Sequence, residues 1–122
     1  MKVIATTNAP GAIGPYSQGM IVNGFVYTSG QIPVDPATGT IPEGIAAQAE
    51  RSCRNVSAVL EAAGSDITKV VKTTCFLADM ADFAAFNEVY AKFFVGKPAR
   101  SCCAVKTLPQ NVLCEIEAIA EL

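Results

Sequence analysis

The sequence predicts an α+β domain in which two helices pack on one face of a mixed β-sheet. Short runs rich in Val, Ile, Tyr and Thr alternate with two stretches of helical period, in the order strands, helix, strand, helix and two strands. The chain has 122 residues, without an internal repeat or a low-complexity linker. We therefore expect a single domain that spans residues 1–122.

Pro and Gly divide the first third of the chain into short strands. Apolar and β-branched residues predict strands at residues 2–6, 19–22 and 25–31. Asn23 and Gly24 separate the second strand from the third, and Asn-Gly is the dipeptide favoured in two-residue hairpin turns. The second and third strands should therefore pair as a hairpin.

Two amphipathic helices follow. In the first, apolar residues recur three or four positions apart at Ile45, Ala49, Cys53, Val56, Leu60 and Ala63. Gly64 should close this helix. The β-branched run ITKVVKTTCFLAD (residues 67–79) predicts a strand. The second helix should begin with Asp79 as its N-cap and continue through aromatic residues at helical spacing as far as residue 94.

The last two strands leave one sheet face without a helix. We predict them at residues 99–108 and 112–122, on either side of a turn at Pro109-Gln110-Asn111. In the closing strand, alternate residues face opposite sides, so Glu115 and Glu117 share a side with the apolar Leu113 and Ile119. Two helices cover only one face, and we expect the other face to contact further subunits.

The composition narrows the class of protein. Hydrophobic residues make up 51% of the chain and charged residues 16%, below the roughly 25% that is typical, which also favours an oligomer. The formal net charge is −2 without a basic cluster, which argues against nucleic-acid binding. No apolar run reaches the roughly 18 residues of a membrane span, and no signal peptide is recognisable, so a cytoplasmic protein is expected.

Cysteine and histidine usage limits the chemistry. The five cysteines form no CxxC pair, a pattern typical of reduced, buried thiols. Histidine is absent, which removes the commonest metal ligand and every Ser-His or Cys-His dyad. We found no metal-ligand spacing, phosphate loop or dinucleotide motif, so neither a metal site nor a cofactor is predicted.

Arg100, Glu115, Gly30 and Tyr16 are the residues for which a functional and a structural interpretation compete. Arg100 shares a strand face with small apolar residues; it could reach water or a surface acid, or bind a carboxylate through its planar fork. Glu115 could be solvated, or be partly buried with a raised pKa and carry protons. Gly30 could be a kink or admit a ligand to the backbone. Tyr16 could be a lid over a ligand, although an aromatic after Gly14-Pro15 is more typically packed in a turn.

Five segments, in this order, resemble the RidA branch of the reactive intermediate deaminase (Rid) family. They are APGAIGPYSQG, TSGQIPVDPATG, VKTTCFLADMADFAAFNEVYAKFF, PARSC and EIEAIA, and the likeness runs from about Ala5 to Ala120. It implies a chorismate-mutase-like fold and a homotrimer with an inner β-barrel and clefts between subunits. It also implies hydrolysis of 2-aminoacrylate and related enamine or imine acids, released by pyridoxal-phosphate-dependent dehydratases, to 2-keto acids and ammonia, without a cofactor.

The resemblance also implies roles for individual residues. Arg100 would hold the substrate carboxylate and Glu115 would position or activate water. The remaining residues would contact the substrate or line the cleft: Gly30 and Cys102 through their backbone, with Tyr16, Ser29 and Asn87. The chain departs from the family in the short FFVGKPARS segment, which affects the rim of the cleft, and in Cys103-Ala104, where Val-Glu is more familiar.

Three other functions remain open at this point. The same cleft could hold a keto acid or amino acid as a regulatory signal, without turnover. RNA cleavage or inhibition of translation, described for some relatives, is disfavoured by the negative net charge. A chorismate mutase would share the architecture, but there are few cationic residues around Arg100 for a dicarboxylate transition state.

Overall fold

The computed structural model describes all residues from 1 to 122 and contains one six-stranded sheet with two α-helices. The strands are β1 (Lys2–Ile4), β2 (Gly19–Val22), β3 (Phe25–Thr28), β4 (Val70–Leu77), β5 (Ala99–Ala104) and β6 (Cys114–Glu121); the helices are α1 (Ile45–Ala62) and α2 (Phe83–Phe93). The strand order is β1-β2-β3-β6-β4-β5, and only β4 and β5 run parallel. The predicted α+β class and mixed sheet are confirmed.

The second strand, β2, has the predicted bounds, and the other five strands are shorter than the sequence predicted. Residues 67–69 form a 3₁₀ turn ahead of β4, and the other predicted residues that lie outside the strands are 5–6, 29–31, 78–79, 105–108, 112–113 and 122. Asp79 is not the cap of α2. It caps a separate 3₁₀ turn, Met80–Asp82, and its carboxylate accepts a hydrogen bond from the Ala81 amide at 2.8 Å. A short polar side chain stabilises the first free N–H groups of either kind of helix, so the pattern did not distinguish them.

The predicted turns are confirmed. Asn23 and Gly24 both have positive φ, at 50° and 79°, and Val22 pairs with Phe25 across them. This is the left-handed backbone of a type I′ turn, which matches the twist of the strands it joins. Gly64 follows α1 with φ of 86°, the conformation that ends many helices.

The core lies between the helices and one face of the sheet. The side of β6 that carries Cys114, Ile116, Ala118 and Ala120 is buried, together with Leu60 and Phe86 of the helices. Neither helix combines the length and apolar composition that crossing a bilayer requires.

The cysteines are all reduced, but they are not all buried. Cys53, Cys75 and Cys114 are buried, Cys102 is partly buried and Cys103 is exposed. The expectation of buried thiols is therefore wrong for Cys103. This residue pairs with Phe76 on the sheet face away from the helices, where nothing in the chain covers it.

We call the sheet face opposite the helices the open face; Phe76, Glu115, Glu117, Ile119 and Tyr27 lie on it. The register aligns Phe76 with Glu115 and Tyr27 with Ile119, and Tyr27 is 43% exposed. At one end of the sheet, β5 pairs only with β4, so its outer edge lacks strand partners. The predicted uncovered and partly apolar face is present.

Candidate active site

Arg100 is held against α2 by one hydrogen bond and two aromatic rings. It lies opposite Thr73 in the β4–β5 register, and so faces the helices. Its Nη1 donates to Asn87 Oδ1 at 2.8 Å. Its Cζ lies 4.7 Å from the centroid of the Tyr90 ring and 5.5 Å from that of Phe83. These contacts fix the plane of the guanidinium.

Tyr90 also contributes to this site. From its spacing in the sequence it was expected only in the apolar stripe of the second helix. Its hydroxyl shares a hydrogen bond of 2.7 Å with Thr73 Oγ1, and its ring stacks on Phe94 with 4.4 Å between centroids. The ring that supports Arg100 is therefore itself fixed on two sides. The three-residue spacing of Asn87 and Tyr90, which places both on one helix face, was the available signal.

Arg100 has no acidic partner within its own chain. The chain contains one salt bridge, between Arg54 and Glu50 at 3.5 Å, so no carboxylate lies within 4 Å of Arg100. The guanidinium is partly buried and donates only one hydrogen bond within the chain, to Asn87. The sequence allowed Arg100 either to reach water or a surface acid or to bind a carboxylate. Pairing with an acid of the same chain is not found, so the remaining N–H groups of the guanidinium are available to bind an anion.

Glu115 lies on the open face and packs against Gly30. A Cβ atom at position 30 would overlap the Glu115 carboxyl oxygen. Next to Gly30, Gln31 and Ile116 exchange backbone hydrogen bonds of 2.8 and 3.2 Å, which locks the strand end beside β6. The sequence suggested that a ligand could approach the Gly30 backbone. In this chain the carboxyl group of Glu115 occupies the space where a Cβ would lie.

The environment of Glu115 favours its protonated form. Burial raises the pKa of the Glu115 carboxyl above its ordinary value, and the charge of Glu117 on the same face adds to this effect. Of the two interpretations left open for Glu115, this direction agrees with the partly buried carboxylate. Glu115 holds its proton at a higher pH than an ordinary glutamate, so it can both accept and donate a proton.

Ser29 and Tyr16 lie on the same side of the molecule as Gly30. Ser29 donates from Oγ to the Ser17 carbonyl at 2.5 Å, and its amide donates to the Gln18 carbonyl at 2.9 Å. Tyr16 is 52% exposed and borders a cavity of about 690 Å³ together with Gly30 and Gln31. Tyr16 is therefore a rim residue, and the expectation of a packed turn aromatic is wrong.

The predicted site residues fall into two groups that one chain does not bring together. Arg100 on β5 pairs with Thr73 on β4, and Thr73 pairs with Ala118 on β6. Because Ala118 faces the helices, Arg100 faces them too. Glu115, three residues before Ala118, faces the other side. Asn87 and Cys102 belong to the side of Arg100, and the Cys102 side chain packs against the core. Glu115 and Gly30 belong to the open face. We refer to these two groups, one around Arg100 and one around Glu115, as the candidate half-sites of the chain.

The fold and these half-sites define a class: small α+β proteins with a guanidinium fixed against a helix and a partly buried carboxyl group on the opposite sheet face. The family model described as "Endoribonuclease L-PSP" matches residues 6–122. Relatives that carry deaminase names are about half identical over nearly the whole chain. The chain belongs to the reactive intermediate deaminase (Rid, YjgF) family and to its RidA branch, as the sequence motifs indicated.

Three relatives illustrate the similarity. The 2-iminobutanoate/2-iminopropanoate deaminase of Salmonella typhimurium is 54% identical, with 98% of this chain and 96% of that protein covered. A protein of Lactococcus lactis described as a candidate regulator, AldR, is 55% identical, with 100% and 98% covered. The crystal structure of Escherichia coli TdcF with bound serine superposes with a TM-score of 0.96 at 49% identity, covering 100% of this chain and 99% of the other.

Proposed function

We propose that this protein hydrolyses 2-aminoacrylate and the imines 2-iminopropanoate and 2-iminobutanoate to 2-keto acids and ammonia. The observation that carries the proposal is the partly buried carboxyl group of Glu115, packed on Gly30 with a raised pKa. Imine hydrolysis needs one group that moves protons in both directions, and a chain without histidine has few candidates. The deaminase names of relatives at 50–54% identity support the same reaction.

Arg100 binds the carboxylate group of the substrate. The substrate has about six non-hydrogen atoms, and a ligand of that size gains at most about 1.5 kcal/mol from each of them. A large share of the affinity therefore comes from the charged end. The guanidinium offers two parallel N–H donors to that carboxylate, while Asn87 and Tyr90 keep its plane in place.

Glu115 handles the protons of the reaction. The enamine first tautomerises to the imine. Glu115 removes a proton from water as the water oxygen bonds to the imine carbon, and the nitrogen takes a proton from solvent to become the amine of a carbinolamine. Glu115 then returns its proton to this amine, and the carbon–nitrogen bond breaks to release ammonia. The hydroxyl group gives its remaining proton to solvent as it becomes the carbonyl of the 2-keto acid. This hydrolysis also proceeds slowly in water, so positioning and one proton carrier are sufficient and no cofactor takes part.

We infer that the two half-sites meet between subunits of a homotrimer whose sheets form an inner barrel. Arg100 and Asn87 of one chain would face Gly30 and Glu115 of the next. The opposite orientation of the two groups, the open face and the unpaired edge of β5 support this arrangement. The cleft would be lined by Tyr16 and Ser29 and by the backbone of Cys102. We place the protein in the cytoplasm, beside the pyridoxal-phosphate-dependent dehydratases that release its substrates.

The proposal is tested by generating 2-aminoacrylate beside the protein with a serine dehydratase and measuring the rate of ammonia release. We expect the purified protein to accelerate ammonia release in proportion to its concentration. An unchanged rate over several amino-acid precursors would contradict it.

A regulatory module that binds a keto acid or amino acid without turnover is the second candidate. The similarity to AldR favours it, and the carboxylate grip of Arg100 serves both functions. Only the enzyme requires Glu115 to exchange protons. Binding of 2-ketobutyrate without any acceleration of ammonia release would establish the regulatory module in place of the enzyme.

A further inference from the structure

A second cation lines the cavity beside Arg100. This cavity, which we call the β5 cavity, has a volume of about 350 Å³ and lies where α2 and the segment after it meet the start of β5. Its lining comprises Asn87, Tyr90, Ala91, Phe94, Val95, Lys97, Pro98 and Arg100. A cavity of this size holds a small organic ligand.

The charge of the β5 cavity is all of one sign. Lys97 and Arg100 are its charged lining residues, and none of the lining residues is acidic, although the chain as a whole carries a net charge of −2. Neither cation has a carboxylate within 4 Å, because the one salt bridge of the chain joins Arg54 and Glu50. Two unpaired cations beside apolar walls attract an anion more strongly than either does alone.

The backbone at Lys97 has a left-handed conformation directly before Pro98. Its φ is 51°, in the left-handed region that few residues other than glycine occupy. Its amide donates to the Phe94 carbonyl at 3.1 Å, and Pro98 follows directly.

We propose that the β5 cavity selects ligands with two acidic groups, namely 2-imino and 2-oxo dicarboxylates. This inference rests on the proposed function for the carboxylate beside the reacting carbon, which Arg100 binds. Lys97 binds the second carboxylate at the far end of the ligand. A substrate with one carboxylate engages Arg100 alone.

The test compares two product-like ligands of nearly equal size by isothermal titration calorimetry on the full chain. The dicarboxylate 2-oxoglutarate and the monocarboxylate 2-oxohexanoate differ in the distal charge. We expect 2-oxoglutarate to bind about fivefold more tightly, the gain of one exposed charge pair. Lys97→Gln should bring the ratio close to one, Lys97→Arg should keep it, and Lys92→Gln, an exposed neighbour outside the lining, should leave it unchanged.

Two results would overturn the inference: equal affinities in the unmodified protein, or a preference that survives Lys97→Gln. Both are read from binding and need no turnover. They are therefore distinguishable from failure of the proposed function, which is read from ammonia release. A protein that deaminates 2-aminoacrylate but does not prefer 2-oxoglutarate keeps its function and loses this selectivity.

Discussion

At the scale of single residues, the two central side chains of the site are held in different ways. Arg100 is oriented by directional contacts, with Asn87 on one nitrogen and the Tyr90 ring under its plane. Glu115 is set by burial against Gly30 and by the nearby charge of Glu117. Substitution should therefore affect geometry at Arg100 and protonation at Glu115.

Arg100→Ala should lower kcat/KM by about 100-fold or more, because it removes two charge-assisted hydrogen bonds to the substrate carboxylate. Arg100→Lys should recover no more than about a tenth of the activity, since a single ammonium does not reproduce the fork. The coupled ammonia assay measures both. Arg54→Ala, at an exposed arginine on α1, serves as the control, and near-normal deamination by Arg100→Ala would remove Arg100 from its role.

Glu115→Gln should lower kcat by about 100-fold or more, the usual effect of losing a positioned proton carrier. Glu117→Gln changes the same functional group two residues away on the same face. It should leave kcat within about threefold and shift the acidic limb of the pH–rate profile to lower pH, because the Glu117 charge contributes to the raised pKa of Glu115. Equal losses from the two substitutions would refute the assignment.

The raised pKa of Glu115 also predicts how stability depends on pH. The folded state holds this proton more tightly than the unfolded state, so the contribution of Glu115 is complete below its unfolded pKa and is lost as pH rises through the folded value. Glu115→Gln should therefore raise the melting temperature at pH 8 and give a smaller gain at pH 4.

At the scale of elements, local patterns predicted what local physics determines. The Asn23-Gly24 turn, the end of α1 at Gly64 and the alternation along β6 follow from backbone preferences and burial, and all are present. Most strands were predicted too long, because residues that favour strands continue past the point where a partner strand is available. The support of Arg100 by Tyr90 could not be predicted, because it requires the alignment of β5 with β4 beneath α2.

Gly30→Ala tests the junction between the strand end and β6. The added methyl would overlap the Glu115 carboxyl, so we expect a loss of about 1–3 kcal/mol in the free energy of unfolding together with a loss of activity. Gly11→Ala is the matched control, since a Cβ there meets no atom within 4 Å. Chemical denaturation measures both, and a Gly30→Ala protein of normal stability and activity would show that Glu115 does not depend on this close packing.

At the scale of the whole molecule, one chain presents its two half-sites in different directions. Arg100 faces the helix layer at the sheet edge, while Glu115 faces the open side. The proposed cyclic assembly would resolve this separation, because each chain would offer both half-sites and meet a neighbour on either side. Three chains of 12.7 kDa each would sediment at about 38 kDa.

Mixing two inactive variants distinguishes a site between chains from a site within one. In hybrids of Arg100→Ala and Glu115→Gln chains, some clefts combine the intact arginine of one chain with the intact glutamate of the next. Random assembly of a 1:1 mixture into cyclic trimers restores about a quarter of the clefts, so ammonia release should return to about that share of the unmodified rate after the two variants are unfolded and refolded together. Each variant refolded alone is the control and should stay inactive. If refolded trimers of the mixture were no more active than the separate variants, both groups would have to act from the same chain, against the opposite orientations that they have in the sheet.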